Sequence, residues 1–148
     1  MTHHSSAPRI FESEYTAMNI VVLLIDQEDS QAARDWAVQQ ARTNTGILHV
    51  VPAAADIPGK PAYISPHYLE ELDSALAATG VEYTLYATSA DPANQVISLV
   101  NELSADLAVV GLRNRSATFK LILGSHARHV VVNALCPVVT VKQHQKAA

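Results

Sequence analysis

The chain has 148 residues, of which 49% are hydrophobic and 16% charged, with a formal net charge of −4. That length suits one domain with a buried core, and the composition excludes a disordered chain. A negative net charge gives no global attraction to nucleic-acid backbones, so nucleic-acid binding is not expected and any basic site must be local.

Residues 1–18 follow neither the helical nor the strand period and are expected to form a flexible extension to a domain spanning 19–148. NIVVLLID, Asn19 to Asp26, is a continuous apolar run closed by an acid, which suits a strand covered on both faces. The next segment reads as a helix capped by Asp29 or Ser30, with Ala33, Trp36, Ala37 and Ala41 on one face and Gly46 beyond its end. ILHVV is a second strand. PAAADIPGKPAYIS, rich in proline and alanine, is the longest irregular stretch in the body of the chain and is expected to be a mobile flap.

Ser65 and Pro66 form a cap-then-proline start for a second helix, whose Leu69, Leu72 and Leu76 share a face before Gly80 stops it. VEYTLYAT is the third strand. Asp91 and Pro92 repeat the start signal, and Val96, Leu99, Val100 and Leu103 supply the stripe of a third helix. ADLAVVG is the fourth strand. After GLRNRSATFKLILGS, read as a loop, Ser125 is expected to cap a fourth helix containing Val130, Val131 and Ala134, and PVVTVK closes the series as a fifth strand.

The order βαβαβαβαβ predicts an α/β fold, an open doubly wound parallel sheet of five strands with helices on both faces and right-handed crossovers. Ligands of such sheets bind beyond the carboxyl ends of the strands where strand order reverses. Asp26 ends the first strand and Gly111 the fourth, so the Gly111–Ser125 loop falls where a site is expected. Its glycines permit close approach of backbone amides to a phosphate, and the helix start after Gly124 adds donors and the favourable end of the dipole. Arg113, Arg115 and Lys120 bring positive charge, and Asn114 tolerates the left-handed conformation better than most residues. The same cations would also serve a solvated surface.

No apolar run approaches the roughly 20 residues of a membrane span, and the N-terminus lacks a signal-peptide core, so a cytoplasmic location without membrane contact is expected. The one cysteine, Cys136, cannot form an intramolecular disulfide, which agrees with a reducing compartment. No residue set reads as catalytic. Glu70, Glu71 and Asp73 suit a solvated helix, no Ser/His/Asp arrangement can be traced, and His126 and His129 lack the further ligands a metal needs.

Taken jointly, the strand ending in Asp26, the Trp36-Ala37 helix, ILHV, ADLAVVG and GSHARHVVVNALCPVVTVK resemble the universal stress protein family, in its short single-domain form, over Asn19 to Lys142. The nucleotide-binding branch of that family carries G-x-x-G, nine residues, then G-S or G-T. Gly111 and Gly124-Ser125 match, while Asn114 holds the middle glycine position. The resemblance implies strand order 3-2-1-4-5, the adenine nucleotide alpha-hydrolase-like fold, a role in stress response and a homodimer through the C-terminal strand. It places Asp26 toward the ribose or adenine and the Val50 backbone on the adenine edge. Gly111, Gly124 and Ser125 would then cradle phosphates, with Arg113, Asn114 and Arg115 beside them.

The leading expectation is therefore a regulatory module that binds an adenine nucleotide, ATP with Mg²⁺ ahead of AMP or cyclic AMP, and acts on an unidentified protein partner without turnover. A nucleotide-free dimeric interaction module is the alternative, favoured by Asn114 and Phe119 in the loop. ATP hydrolysis ranks third, because neither a Walker lysine motif nor a water-positioning group is evident beside Asp26.

Overall fold

The computed structural model describes residues 17–26, 30–55, 59, 63–115 and 120–142, with the backbone alone described at 113–115 and 120–122. In chain order the elements are β1 (Asn19–Ile25), α1 (Ser30–Asn44), β2 (Ile47–Ala53), α2 (Pro66–Ala78), β3 (Glu82–Leu85), α3 (Pro92–Leu103), β4 (Leu107–Arg115), β5 (Lys120–Ile122), α4 (Ser125–Asn133) and β6 (Val138–Lys142). The parallel strands lie in the order β3-β2-β1-β4-β6. This is the expected 3-2-1-4-5 sheet, with β6 as its fifth parallel strand.

The segment after β4 differs from the sequence reading. The Gly111–Ser125 segment is not a loop throughout. Strand β4 runs on to Arg115, and β5 returns antiparallel beside it, pairing Arg113 with Ile122, Asn114 with Leu121 and Arg115 with Lys120. Leu121 and Ile122 suit a strand by propensity, and the hairpin satisfies backbone groups that a loop would leave to solvent.

Burial explains why β1 is apolar without interruption. Its Ile20, Val22 and Leu24 join Ala33, Ala37, Leu72 and Leu76 under α1 and α2. Its Val21 and Leu23 join Val96, Leu99, Val100 and Val130 under α3 and α4. Successive side chains point to opposite faces, so both must be apolar when both faces are covered. Leu76 is fully buried, and its truncation to alanine would cost about 2–5 kcal/mol. Trp36 is half-buried and packs against the α1/α2 core, as does Met18.

The helix starts follow the sequence signals at α2 and α3. Ser65 Oγ accepts the Tyr68 amide at 3.0 Å, and Asp91 Oδ1 accepts the Asn94 amide at 3.2 Å, with proline opening each helix. At the end of α2, Gly80 adopts φ 78°, the left-handed cap that glycine makes without strain. After α1 the left-handed residue is instead Thr45, at φ 52°. Gly46 serves another need there, because a Cβ on it would lie 2.9 Å from the Met18 carbonyl oxygen. Val131, expected in the helix's apolar set, is 37% exposed because α4 turns only Ala127 and Val130 fully inward.

The α3-side layer holds a buried polar residue, His49, between two partners. Its Nε2 lies 2.9 Å from Asn19 Oδ1 and its Nδ1 2.9 Å from the Tyr86 hydroxyl. The neutral tautomer with Nε2–H donating to Asn19 and Nδ1 accepting from Tyr86 satisfies both contacts. Burial lowers the His49 pKa from its ordinary 6.5, against a smaller opposing pull from Glu82. A buried imidazole bonded on both sides ties β1, β2 and the end of β3 together.

Candidate functional site

The sheet opens where its strand order reverses. Pairing between β1 and β4 stops at Val22 with Val109. Beyond that point β1 continues beside β2 as far as Ile25 with Ala53, and β4 continues beside β6 as far as Leu112 with Lys142. The two central strands therefore part toward their carboxyl ends and leave a crevice between them, the position at which doubly wound sheets take ligands.

Asp26 follows β1 on one lip of this crevice, and its amide donates to Ala53 O at 2.8 Å. That bond anchors the residue's backbone. Its carboxyl is pushed above the ordinary value by burial, so holding it charged has a cost in the folded state. Tyr68, from the first turn of α2, has its hydroxyl pushed up to about 12 by burial and then by the charge of Asp26, with Arg34 of α1 opposing. Tyr68 is thus within electrostatic reach of both Asp26, which follows β1, and Arg34 of α1. Arg34 also lies 3.8 Å from Asp35. Their spacing in the chain carried no signal for Tyr68 or Arg34.

Gly111 lies within β4 on the other lip. Arg113, Asn114 and Arg115 continue that strand into the hairpin, so Asn114 is a paired strand residue and does not form the left-handed turn considered for it. Gly124 is the N-cap of α4 at φ −67° and ψ 170°, an extended geometry open to any residue. Its glycine character therefore matters for close approach and not for a left-handed backbone. Ser125, expected to cap α4, is its first helical residue instead. The first intrahelical bond runs from the Arg128 amide to Gly124 O at 2.9 Å, and no side chain caps this helix start. Amides of the first turn precede that bond, and the positive end of the helix dipole lies there.

Val50 sits apart from these residues. It is fully buried in β2, and its carbonyl accepts the Tyr86 amide at 3.0 Å. A ligand reaching that carbonyl would have to share it with Tyr86.

A cavity of about 670 Å³ opens at the same end of the sheet. Ala54 and Ala55 after β2, Tyr63 and Ile64 before α2, Thr88, Ser89 and Ala90 after β3, Pro92 of α3 and His126 of α4 line it. Its volume falls within the range of small-molecule sites. Sequence reasoning assigned Tyr63 to a flap, placed Thr88 at the end of the third strand, which stops instead at Leu85, gave Ser89 no role, and placed His126 on a polar helix surface. Residues 56–58 and 60–62 of the expected flap lie outside the described residues, as do Asp29, Phe119 and 1–16. His129 follows the surface reading, with Nε2 3.0 Å from Asn94 Oδ1. Among the described residues no group of three His, Cys, Asp or Glu could hold a metal ion. No helix among them is long and apolar enough to cross a membrane.

Sheet order and parted strands define a doubly wound fold with a crevice at its switch point, beside a helix start that has no side-chain cap. The model of the universal stress protein family matches residues 17–142, and the chain belongs to that family. A universal stress protein of Mycolicibacterium smegmatis is 26% identical over 121 residues, covering 77% of this chain and 89% of the relative. The crystal structure of a universal stress protein in complex with cAMP is 26% identical with a TM-score of 0.61, covering 85% of this chain and 97% of the other. A family member from Arabidopsis thaliana with AMP bound, at 21% identity and TM-score 0.62, shows the shared fold over 86% of this chain and 92% of that one.

Proposed function

We propose that this protein is a regulatory module that binds an adenine nucleotide in the crevice between β1 and β4, with the phosphates toward the start of α4. The observation that carries this reading is the parting of β1 and β4 beside a helix start that has no side-chain cap. Backbone amides and the helix dipole attract an anion there without requiring a catalytic group. Complexes of related universal stress proteins with cAMP and AMP support an adenine nucleotide as the ligand class.

In this reading Asp26 approaches the ribose or base, and Gly111, Gly124 and Ser125 border the phosphates. Arg113, Asn114, Arg115 and Lys120, gathered in one hairpin, extend the site toward the outer phosphates, which favours ATP over AMP. Magnesium would arrive on the phosphate oxygens, because Mg²⁺ in nucleotide sites is held largely by substrate and water. Binding engages the hairpin and changes the surface offered to a protein partner in stress response, and no turnover is needed. The setting is a cytoplasmic homodimer joined through β6, whose half-buried Val138, Val139 and Val141 suit edge pairing.

The test is mass spectrometry of small molecules released from natively purified protein, followed by calorimetric titration of the stripped protein with ATP, AMP and cAMP. A bound adenine nucleotide, or saturable binding of one of the three, is the expected result. Neither carry-over nor binding would favour a nucleotide-free dimer. That second reading draws on the exposed Val132 and Leu135 at the end of α4, 71% and 83% accessible, which a protein partner could cover.

A further inference from the structure

Among the described residues four large hydrophobic side chains stand exposed, and three of them fall at one place, the end of α4. Val131 and Val132 are 37% and 71% accessible, and Leu135, just past the helix, is 83% accessible. Arg128 stands exposed one turn earlier on the same face, since residues three and four apart on a helix are neighbours. Among the described residues no carboxylate lies within ion-pair range of Arg128. The patch is thus apolar at its centre and positive at one margin. Single exposed hydrophobic residues are ordinary, but a group of them beside one charge marks a contact.

Position in the fold points to the occupant. Helix α4 begins at the carboxyl end of the sheet and leads to its amino end, where Pro137 O accepts the Ala108 amide at 3.0 Å. Residue 17 lies at that same end, ahead of β1, where Asn19 O accepts the Asp106 amide at 2.8 Å. Strand β4 alone separates β1 from β6. The path from residue 17 to the outer face of α4 is therefore two strand spacings, about 10 Å, and then a helix diameter, about 10–12 Å. Residues 10–16, when extended, span about 23 Å, which covers that path.

The residues before 17 carry the complementary chemistry. Ile10, Phe11 and Tyr15 supply apolar surface, and Glu12 and Glu14 supply negative charge between them. The family match begins at residue 17, so this segment lies outside it.

We propose that residues 10–15 cover the end of α4 in the same chain, with Phe11 and Tyr15 against Val132 and Leu135 and with Glu12 or Glu14 beside Arg128. Apolar contact supplies the attraction, and the opposite charges set the orientation. As a tethered ligand the segment is present at an effective concentration on the order of millimolar, so it competes with any second chain for this face. The inference is independent of the nucleotide reading.

Two measurements on the full chain test it. The first is a double-mutant cycle of Phe11→Ser and Leu135→Ser read by melting temperature. Leu135 is largely exposed, so the variants are expected to remain folded. Each single variant should lower the melting temperature, and the double variant should lower it no further, because both substitutions remove the same contact. Additive losses, or no loss, would overturn the docking. The second measurement oxidises Phe11→Cys/Leu135→Cys with diamide in a Cys136→Ser background. Its internal disulfide should form at least about tenfold faster than in Phe11→Cys/Glu102→Cys, whose second thiol is exposed near the end of α3. Equal rates would indicate an undocked tether and overturn the proposal. A crosslink between two chains would assign the patch to a second copy and overturn it as well.

Discussion

Helices α3 and α4 lie on the same side of the sheet and begin at the same carboxyl end, yet their first turns are built in opposite ways. At α3, Asp91 accepts the Asn94 amide at 3.2 Å and its other oxygen accepts Asn94 Nδ2 at 2.6 Å. Those bonds to Asn94 hold the Asp91 carboxyl below its ordinary value. At α4, Gly124 occupies the cap position and brings no side chain to it. A helix start closed by its own carboxylate is committed to stability, whereas one left to glycine retains amides and dipole for an anion. The difference teaches that an unoptimised cap is informative when it faces a crevice.

The comparison breaks most sharply at Gly124. Gly124→Val introduces a β-branched side chain where the phosphates are expected to approach, while φ −67° and ψ 170° suit valine. Nucleotide affinity should fall more than about 100-fold with the fold retained, since replacing glycine by valine at a cap costs on the order of 1 kcal/mol. Equal affinities by calorimetry would remove Gly124 from the site. Gly124→Asp sharpens the point, because the new carboxylate should raise the melting temperature slightly while repelling phosphate.

Arg115→Ala comes next. Loss of a charge-assisted contact to the outer phosphates should weaken ATP by about tenfold and AMP by less than twofold. A uniform loss would instead point to folding or base contacts.

Asp91→Ala should show the converse pattern at α3. Removing the cap should lower the urea midpoint, with AMP affinity within about twofold of wild type. If affinity fell as far as at Gly124, the two helix starts would not be functionally distinct.

The smallest expected effect concerns pH. Because burial holds the folded-state pKa of His49 below its ordinary 6.5, the unfolded chain takes up the proton first on acidification. The stability contributed by neutral His49 is fully present above that ordinary value and declines as pH falls toward the folded-state pKa. Urea midpoints at successive pH values should show this decline, and His49→Gln should flatten it. An unchanged profile in the variant would assign the acid sensitivity elsewhere.

The sheet could be read ahead of its coordinates because β1, β2 and β4 are covered on both faces, which forces apolar runs that local sequence displays directly. Capping at Ser65 and Asp91 was equally legible, since a side chain and an amide three residues apart need no distant partner. Gly46 was visible as a stop, but its real constraint is a carbonyl of Met18, far along the chain. The hairpin was missed because the glycines and cations of 111–125 suggest a loop, while its pairing depends on how β4 leaves the sheet.

The order of strands and helices, their apolar faces and the cationic segment between Gly111 and Ser125 were written in local pattern, because backbone periodicity and capping act over a few residues. Tertiary structure decided where β1 parts from β4, how deeply Val50 and His49 are buried, and that Tyr63, Thr88 and His126 border one cavity. Those facts depend on chain segments meeting across the sheet, and contacts between distant segments leave no period in the sequence.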